Sequence, residues 1–210
     1  MRLRYHRGIT TQALGTQVSA VALETIIAAN FAQDALRYQV GHDHFHFDNN
    51  SFTAAEAYVA AQHRHISEAI AGGEALPAWQ AFGRLTHAVQ DFYAHTNYVS
   101  LWREREPAAQ AGQIEPLAAD VMADPRLHSG QLYYPLELLS FIPAILPLVT
   151  PFLPRNSHAW MNKDDPSRPD FDFAFEAAVK RTQLEFRDIV GALSPARAEL
   201  FRGEGKEVDW

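Results

Sequence analysis

The 210-residue chain has no cysteine and 10 histidines, and its 25 Asp+Glu against 18 Lys+Arg give a formal charge of −7. Without cysteine there are no disulfides, thiolate zinc sites, iron–sulfur clusters or thiol nucleophiles, so any metal site must be built from imidazole and oxygen donors. The acidic balance argues against duplex nucleic acid as a partner, and a hydrophobic content of 47% with 20% charged residues excludes wholesale disorder.

The length suits one domain, residues 1–210, with a single core. The N-terminus is basic, but Gln12, Gln17 and Glu24 interrupt the apolar stretch after it, so no classical signal peptide is expected. The expected location is the cytoplasm, or outside the cell by a route without such a peptide. From Thr11 to about Tyr38 the apolar residues recur at helical spacing, which predicts a first long helix. Gly41–Asn50 reads as a loop rich in possible ligands. Strand-like alternation within it would turn His44, His46 and Asp48 to one side and Phe45 and Phe47 to the other.

Thr53 and Glu56 have the spacing of a capping box, opening a helix that runs to Gly72-Gly73. Pro77 starts a long helix to about Glu106, with aromatics around its whole circumference, as for the central helix of a bundle. Residues 107–156 read as a Pro-rich loop insertion. Within it, the apolar run from Leu136 to Pro154 carries Pro143, Pro147, Pro151 and Pro154, too many for a bilayer span. A last strong helix is expected over Phe171–Leu193, with a short one after Ser194-Pro195. The fold class is all-α, a single-domain helical bundle.

Chemistry concentrates in His87-Ala-Val-Gln-Asp91-Phe-Tyr-Ala-His95. Helical residues four apart differ by about 40° in projection and step about 6 Å along the axis, so all three share one face. A central carboxylate between two imidazoles suits a bridge between two ions; a polar stripe opposite a core face is the alternative. Tyr98 and Trp102 extend the same face. Asp34 projects onto the apolar side of the first helix, where a cation, an arginine or a helix end must compensate it, unless a frayed last turn lets it reach water. His158, followed by Asn162 and Asp164, adds an imidazole near a carboxylate. His63, His65 and His128 read as surface or packing residues.

Four stretches together resemble a known family: His6-Arg-Gly-Ile9-Thr10, Phe45-His46-Phe47-Asp48-Asn49, the run Gly83 to Asn97, and His158-x-x-x-Asn162-Lys-Asp164. They resemble the HET-C family, named for a fungal heterokaryon-incompatibility protein and related to zinc-dependent phospholipases C and fungal single-strand nucleases. The resemblance extends over about residues 5–190. It implies the phospholipase C type of all-α bundle around two or three zinc ions. His46, His87, Asp34 and Asp91 would hold one ion; Asp91 would bridge to a second with His6; His95 and His158 would hold a third. Asp34 would be the catalytic residue that orients or deprotonates water, with Asp43 or Asp48 as substitutes. Asp48, His44 and Asn162 are further candidates as ligands or supports of ligands. Two departures stand out. The relatives bind zinc through a mature N-terminal tryptophan, whereas this chain has Met1, with Tyr5 before His6. They also place a carboxylate four residues after the last histidine, where this chain has Asn162, with Asp164 two residues further on.

The activity implied is phospholipase C-like hydrolysis of a phospholipid or other phosphodiester by a metal-bound hydroxide. Two readings stay open beside it. One is a single-strand nuclease, with Trp102, Tyr133 and Tyr134 to stack bases. The other is a non-catalytic lipid-binding or interaction protein on a retained metal-binding fold. The run 136–154 is either a peripheral membrane contact or an internal cover of the bundle. The oligomeric state is not legible from the sequence.

Overall fold

The computed structural model describes residues 1–38, 41–140, 142 and 144–204. Among these, eleven α-helices follow in order: α1 (Leu3–Leu14), α2 (Ala20–Phe31), α3 (Phe52–Ala71), α4 (Ala75–His95), α5 (Tyr98–Arg105), α6 (Ala119–Met122), α7 (Leu136–Ser140), α8 (Leu146–Val149), α9 (His158–Met161), α10 (Phe171–Gly191) and α11 (Pro195–Arg202). No β-strand forms among the described residues; extended pairing is limited to isolated bridges at Thr96–Ser129 and Gln131–Ser157. The all-α expectation therefore holds. No helix among them is long and apolar enough to cross a membrane. Pro143 of the apolar run lies outside the described residues.

Helix α4 is the axis of the bundle, with α2, α3 and α10 packed around it and α1 lying against α2 and α10. Every residue from Leu85 to His95 is buried, as the aromatic circumference predicts. At one end Phe82, Phe186 and Phe201 meet with ring centroids 5.7–6.0 Å apart. Each ring so buried is worth about 1.5–3 kcal/mol of transfer free energy. Gly83 lets α2 lie almost against the α4 backbone, since a Cβ there would sit 2.3 Å from the Ile26 carbonyl oxygen and 2.7 Å from Ala29 Cβ. The apolar end thus anchors the bundle, and the opposite, C-terminal half of α4 carries the polar cluster.

Four expected elements are corrected. The long first helix is two: α1 ends at Leu14, and the backbone turns extended at Ser19, whose N–H donates to Arg202 O (2.8 Å) and whose hydroxyl accepts from Ala22 N (3.2 Å). Asp34 consequently sits in a 3-10 turn, Ala32–Asp34, rather than on an α-helical face. The capping box at Thr53 and Glu56 does not form, because α3 begins at Phe52, two residues earlier than that box requires, and Ser51 donates its hydroxyl to Asp48 O instead of capping. The helix expected to run to Glu106 stops at His95, where Thr96 is extended (φ −103°, ψ 167°). Two contacts hold that break open: the Lys163 ammonium donates to Thr96 O at 2.8 Å, and Asn97 N–H donates to His128 O at 3.0 Å. Tyr98 and Trp102 therefore belong to α5 and do not extend the histidine face; Trp102 is buried against Phe173, where it cannot stack a base. The 107–156 segment is less loop-like than expected, since it contains α6, α7, α8 and three-residue 3-10 turns at Ala111–Gln113 and Thr150–Phe152.

Candidate metal centre

Helix α4 presents His87, Asp91 and His95 on one side at i, i+4, i+8, and three other segments close over them. Helix α1 brings His6. The loop after the 3-10 turn Asp43–Phe45 brings His46 and Asp48, and the chain from α9 brings His158 and Asp164. Asp91 is the hub. Its Oδ2 lies 3.0 Å from His46 Nδ1 and 3.1 Å from His87 Nε2. Its Oδ1 lies 3.3 Å from His6 Nε2, 4.0 Å from His95 Nε2 and 2.5 Å from the Met1 α-amine. Asp34 Oδ1 approaches His87 Nε2 at 3.8 Å. Three groups of donors have mutual separations within 4.8 Å: His6, Asp34 and His87; His46, His87 and Asp91; and Asp48, His95 and His158.

Neutral amides orient the imidazoles. His6 Nδ1 meets Gln90 Oε1 at 2.7 Å and His87 Nδ1 meets Asn30 Oδ1 at 3.3 Å, so each Nδ1–H donates outward and each Nε2 lone pair is turned toward Asp91. Gln90 is itself held by Thr10, Thr182 and Asn30, and Asn30 by Thr86. This buried network is linked throughout. At the other end His158 Nδ1 pairs with Asp48 Oδ1 at 3.0 Å and His95 Nδ1 with His46 O at 3.0 Å. Their Nε2 atoms then lie 4.0 and 3.3 Å from the two Asp164 oxygens. Asp164 is thus the carboxylate facing the ring nitrogens that point inward, and Asp48 holds the outer nitrogens.

The electrostatics follow from this crowding. Burial pushes the His87 imidazole down to about 4 despite Asp91 and Asp34, so the ring is neutral at pH 7. Burial also works against the charge on His158, but Asp48 and then Asp164 outweigh it and hold the ring up at about 9. Asp91 resists its own burial because the Met1 amine and the imidazoles hold its carboxyl well below the usual range. Asp164 behaves likewise. Among the described residues, two buried ring nitrogens, His6 Nε2 and His46 Nε2, have no hydrogen-bond partner. His6 Nε2 is the one turned toward Asp91, 3.3 Å from its Oδ1, an orientation that a shared cation would suit. Donors about 2.0–2.2 Å from a tetrahedral zinc ion lie roughly 3.3–3.6 Å apart, close to the spacings around Asp91.

Two candidates are not brought in. His44 packs in an aromatic group with His42, Phe45 and Tyr58. The expected alternation fails because Phe47 adopts a left-handed backbone (φ 55°), which turns His46 and Asp48 inward around a buried ring. The Asn162 amide donates to His158 O and Ala159 O and closes the end of α9. His63 pairs with Glu185 at 2.7 Å, His65 is exposed, and His128 bonds locally at Arg126 O, in keeping with their bystander reading. The orienting residues Asn30 and Gln90 were missed; the signals were an amide among the apolar residues of α2 and another beside His87 on α4.

An all-α bundle with a buried histidine–aspartate cluster on its central helix is the class the geometry defines. The chain belongs to the VWA7 N-terminal domain family, which matches residues 7–120. It is 35% identical over 86 residues to von Willebrand factor A domain-containing protein 7 of Rattus norvegicus, an alignment covering 41% of this chain and 10% of that protein. The aligned part of this chain therefore corresponds to about a tenth of that relative's length. No solved structure matches. The HET-C resemblance is corrected accordingly: neither HET-C nor a phospholipase C family matches, and the family shown is the VWA7 N-terminal domain. The matched residues include Asp34, His46, Asp48, His87, Asp91 and His95, while His6, His158 and Asp164 lie outside them.

Proposed function

We propose that the chain is a metal-dependent phosphodiesterase whose centre holds two or three zinc ions through His6, Asp34, His46, His87, Asp91, His95, His158 and Asp164. The observation that carries this reading is the approach of four imidazoles within 4.0 Å of one buried carboxylate, Asp91. Nitrogen and oxygen donors without sulfur suit zinc in a hydrolytic role. Ions in such a site lower the pKa of bound water, stabilise charge on nonbridging phosphoryl oxygens and hold the leaving oxygen.

The protein's own part is positional. Gln90 and Asn30 fix which ring nitrogens face the cluster, and Asp91 joins the two halves of the site. Asp34, with 27% of its side chain exposed, is the base that orients or deprotonates water at the rim. Asp164, at 24%, is the other partly open carboxylate. These two partly exposed carboxylates are where water and a substrate would reach the cluster.

The test is elemental analysis of the purified chain with hydrolysis of bis(p-nitrophenyl) phosphate and phosphatidylcholine, before and after chelation. Near-stoichiometric zinc is expected, with turnover lost to a chelator and restored by zinc; His87→Ala should lose both. A protein without zinc and inert on both substrates ends the proposal. Full zinc occupancy without turnover would make the centre non-catalytic.

A further inference from the structure

Ten large hydrophobic side chains are exposed among the described residues, and six of them crowd into one segment: Tyr134, Leu138, Leu139, Ile142, Leu148 and Phe152. Leu148 and Phe152 are 69% and 79% exposed. An apolar surface so concentrated calls for an occupant. The sequence from Ser129 to Pro154 contains one carboxylate and no basic residue; that carboxylate, Glu137, is buried, accepting from Ala159 N–H at 2.7 Å. The outward face of residues 134–152 therefore carries no exposed charge.

Its border is different. Tyr133 bonds Asn156 through its hydroxyl, Trp160 donates its indole N–H to Leu153 O, and the Arg155 guanidinium lies 3.8 Å over the Trp160 ring. Aliphatic side chains at the tip and an exposed arginine, Arg155, at the border match the profile of a bilayer from hydrocarbon to headgroup. The two helices of the segment, of five and four residues, are too short to span but suit insertion at the interface.

We infer that the exposed face of Leu138, Leu139, Ile142, Leu148 and Phe152 docks the protein onto a phospholipid surface by inserting these side chains among the acyl chains. The base of the segment is continuous with the histidine cluster. Gln131 N–H donates to Asn156 O and His158 N–H to Gln131 O, and Asn49 N–H, next to Asp48, donates to Gly130 O. Docking thus brings the histidine cluster toward the headgroup layer. The docking itself stands on the surface chemistry alone; only its consequence, that lipid phosphodiesters are the substrate, rests on the hydrolytic reading.

The experiment is flotation of the full chain with phosphatidylcholine vesicles at physiological salt, comparing wild type with the double variant Leu148→Glu/Phe152→Glu. Wild type should float, and the variant should bind at least tenfold more weakly, with unchanged circular dichroism and unchanged metal content. Turnover of soluble bis(p-nitrophenyl) phosphate, where present, should be equal in the two. Wild type that stays at the bottom of the gradient overturns the inference, as does a variant that floats equally well. Wild type that does not float but is dimeric by light scattering, with a monomeric variant, assigns the face to a second copy instead. An inert but vesicle-bound protein would keep the docking and remove only the hydrolytic reading.

Discussion

On the hydrolytic reading proposed above, Asp91→Asn is expected to cost the protein at least one bound ion and at least about 100-fold in turnover of a soluble phosphodiester. Removing a partner that merely orients a ligand typically costs 10–100-fold, and Asp91 is the hub itself. Its two oxygens face His46 and His87 on one side and His6 and the Met1 amine on the other. The asparagine has nearly the same volume, so no cavity confuses the result, but it carries no negative charge, and its NH2 end has no lone pair to offer an ion or the Met1 amine. In the metal-free protein the same change breaks a buried ion pair, at a cost of about 3–5 kcal/mol. For a domain of this size that lowers the melting temperature by roughly 6–20 °C. Elemental analysis and calorimetry check the two halves separately. Full metal content and normal turnover in the asparagine variant would remove Asp91 from the centre.

Gly83→Ala should be destabilising although alanine is the better helix former. The propensity gain is about 1 kcal/mol. Against it, the new methyl would meet the Ile26 carbonyl oxygen at 2.3 Å, Ala29 Cβ at 2.7 Å and Asn30 N at 3.0 Å, all on the neighbouring helix α2. Backbone cannot swing aside as a long side chain can, so α2 must translate, and overpacking of this kind costs about 1–3 kcal/mol or more. Net of the propensity gain, a cost at the upper end of that range lowers the melting temperature by up to roughly 8 °C. The same shift moves Asn30, which holds His87 at 3.3 Å, so metal affinity should fall with it. Gly191→Ala is the control: a Cβ there meets nothing within 4 Å, and stability should be unchanged or slightly higher. Equal melting temperatures for the two variants would mean that α2 and α4 do not rely on the glycine contact.

The sequence exposed what is local and periodic. The i, i+4, i+8 face of α4 places its three residues as expected, α10 starts at the predicted Phe171, and Ser194-Pro195 opens α11. What it concealed depends on distant partners. Locally the break is supported by the Thr96 hydroxyl, which accepts from Tyr98 N–H at 3.2 Å; another support, Lys163, is 67 residues away. Ser19 stays extended because its N–H is taken by Arg202 near the other end of the chain. The inward turn at residues 46–48 requires a phenylalanine at φ 55°, a conformation that no propensity would assign to that side chain. Asn30 and Gln90 carry no charge, so they gave no hint that they steer two imidazoles. The family was misjudged for a related reason. The resemblance rested on widely spaced histidines and aspartates, which similar chemistry can place in a helical bundle of another family.

The distance in sequence between the parts of the cluster also bears on how the protein is made. Asp48 and His158 are 110 residues apart, and His6 reaches Gln90 across 84. When α4 leaves the ribosome, its acidic and imidazole face has His6, His46 and Asp48 available but not His158 or Asp164. Contacts of such long separation form late. Until the late segment docks, that face has only part of its partners. Closure by residues 158–164 is therefore the step that completes the cluster, giving Asp48 its His158 and His95 its Asp164.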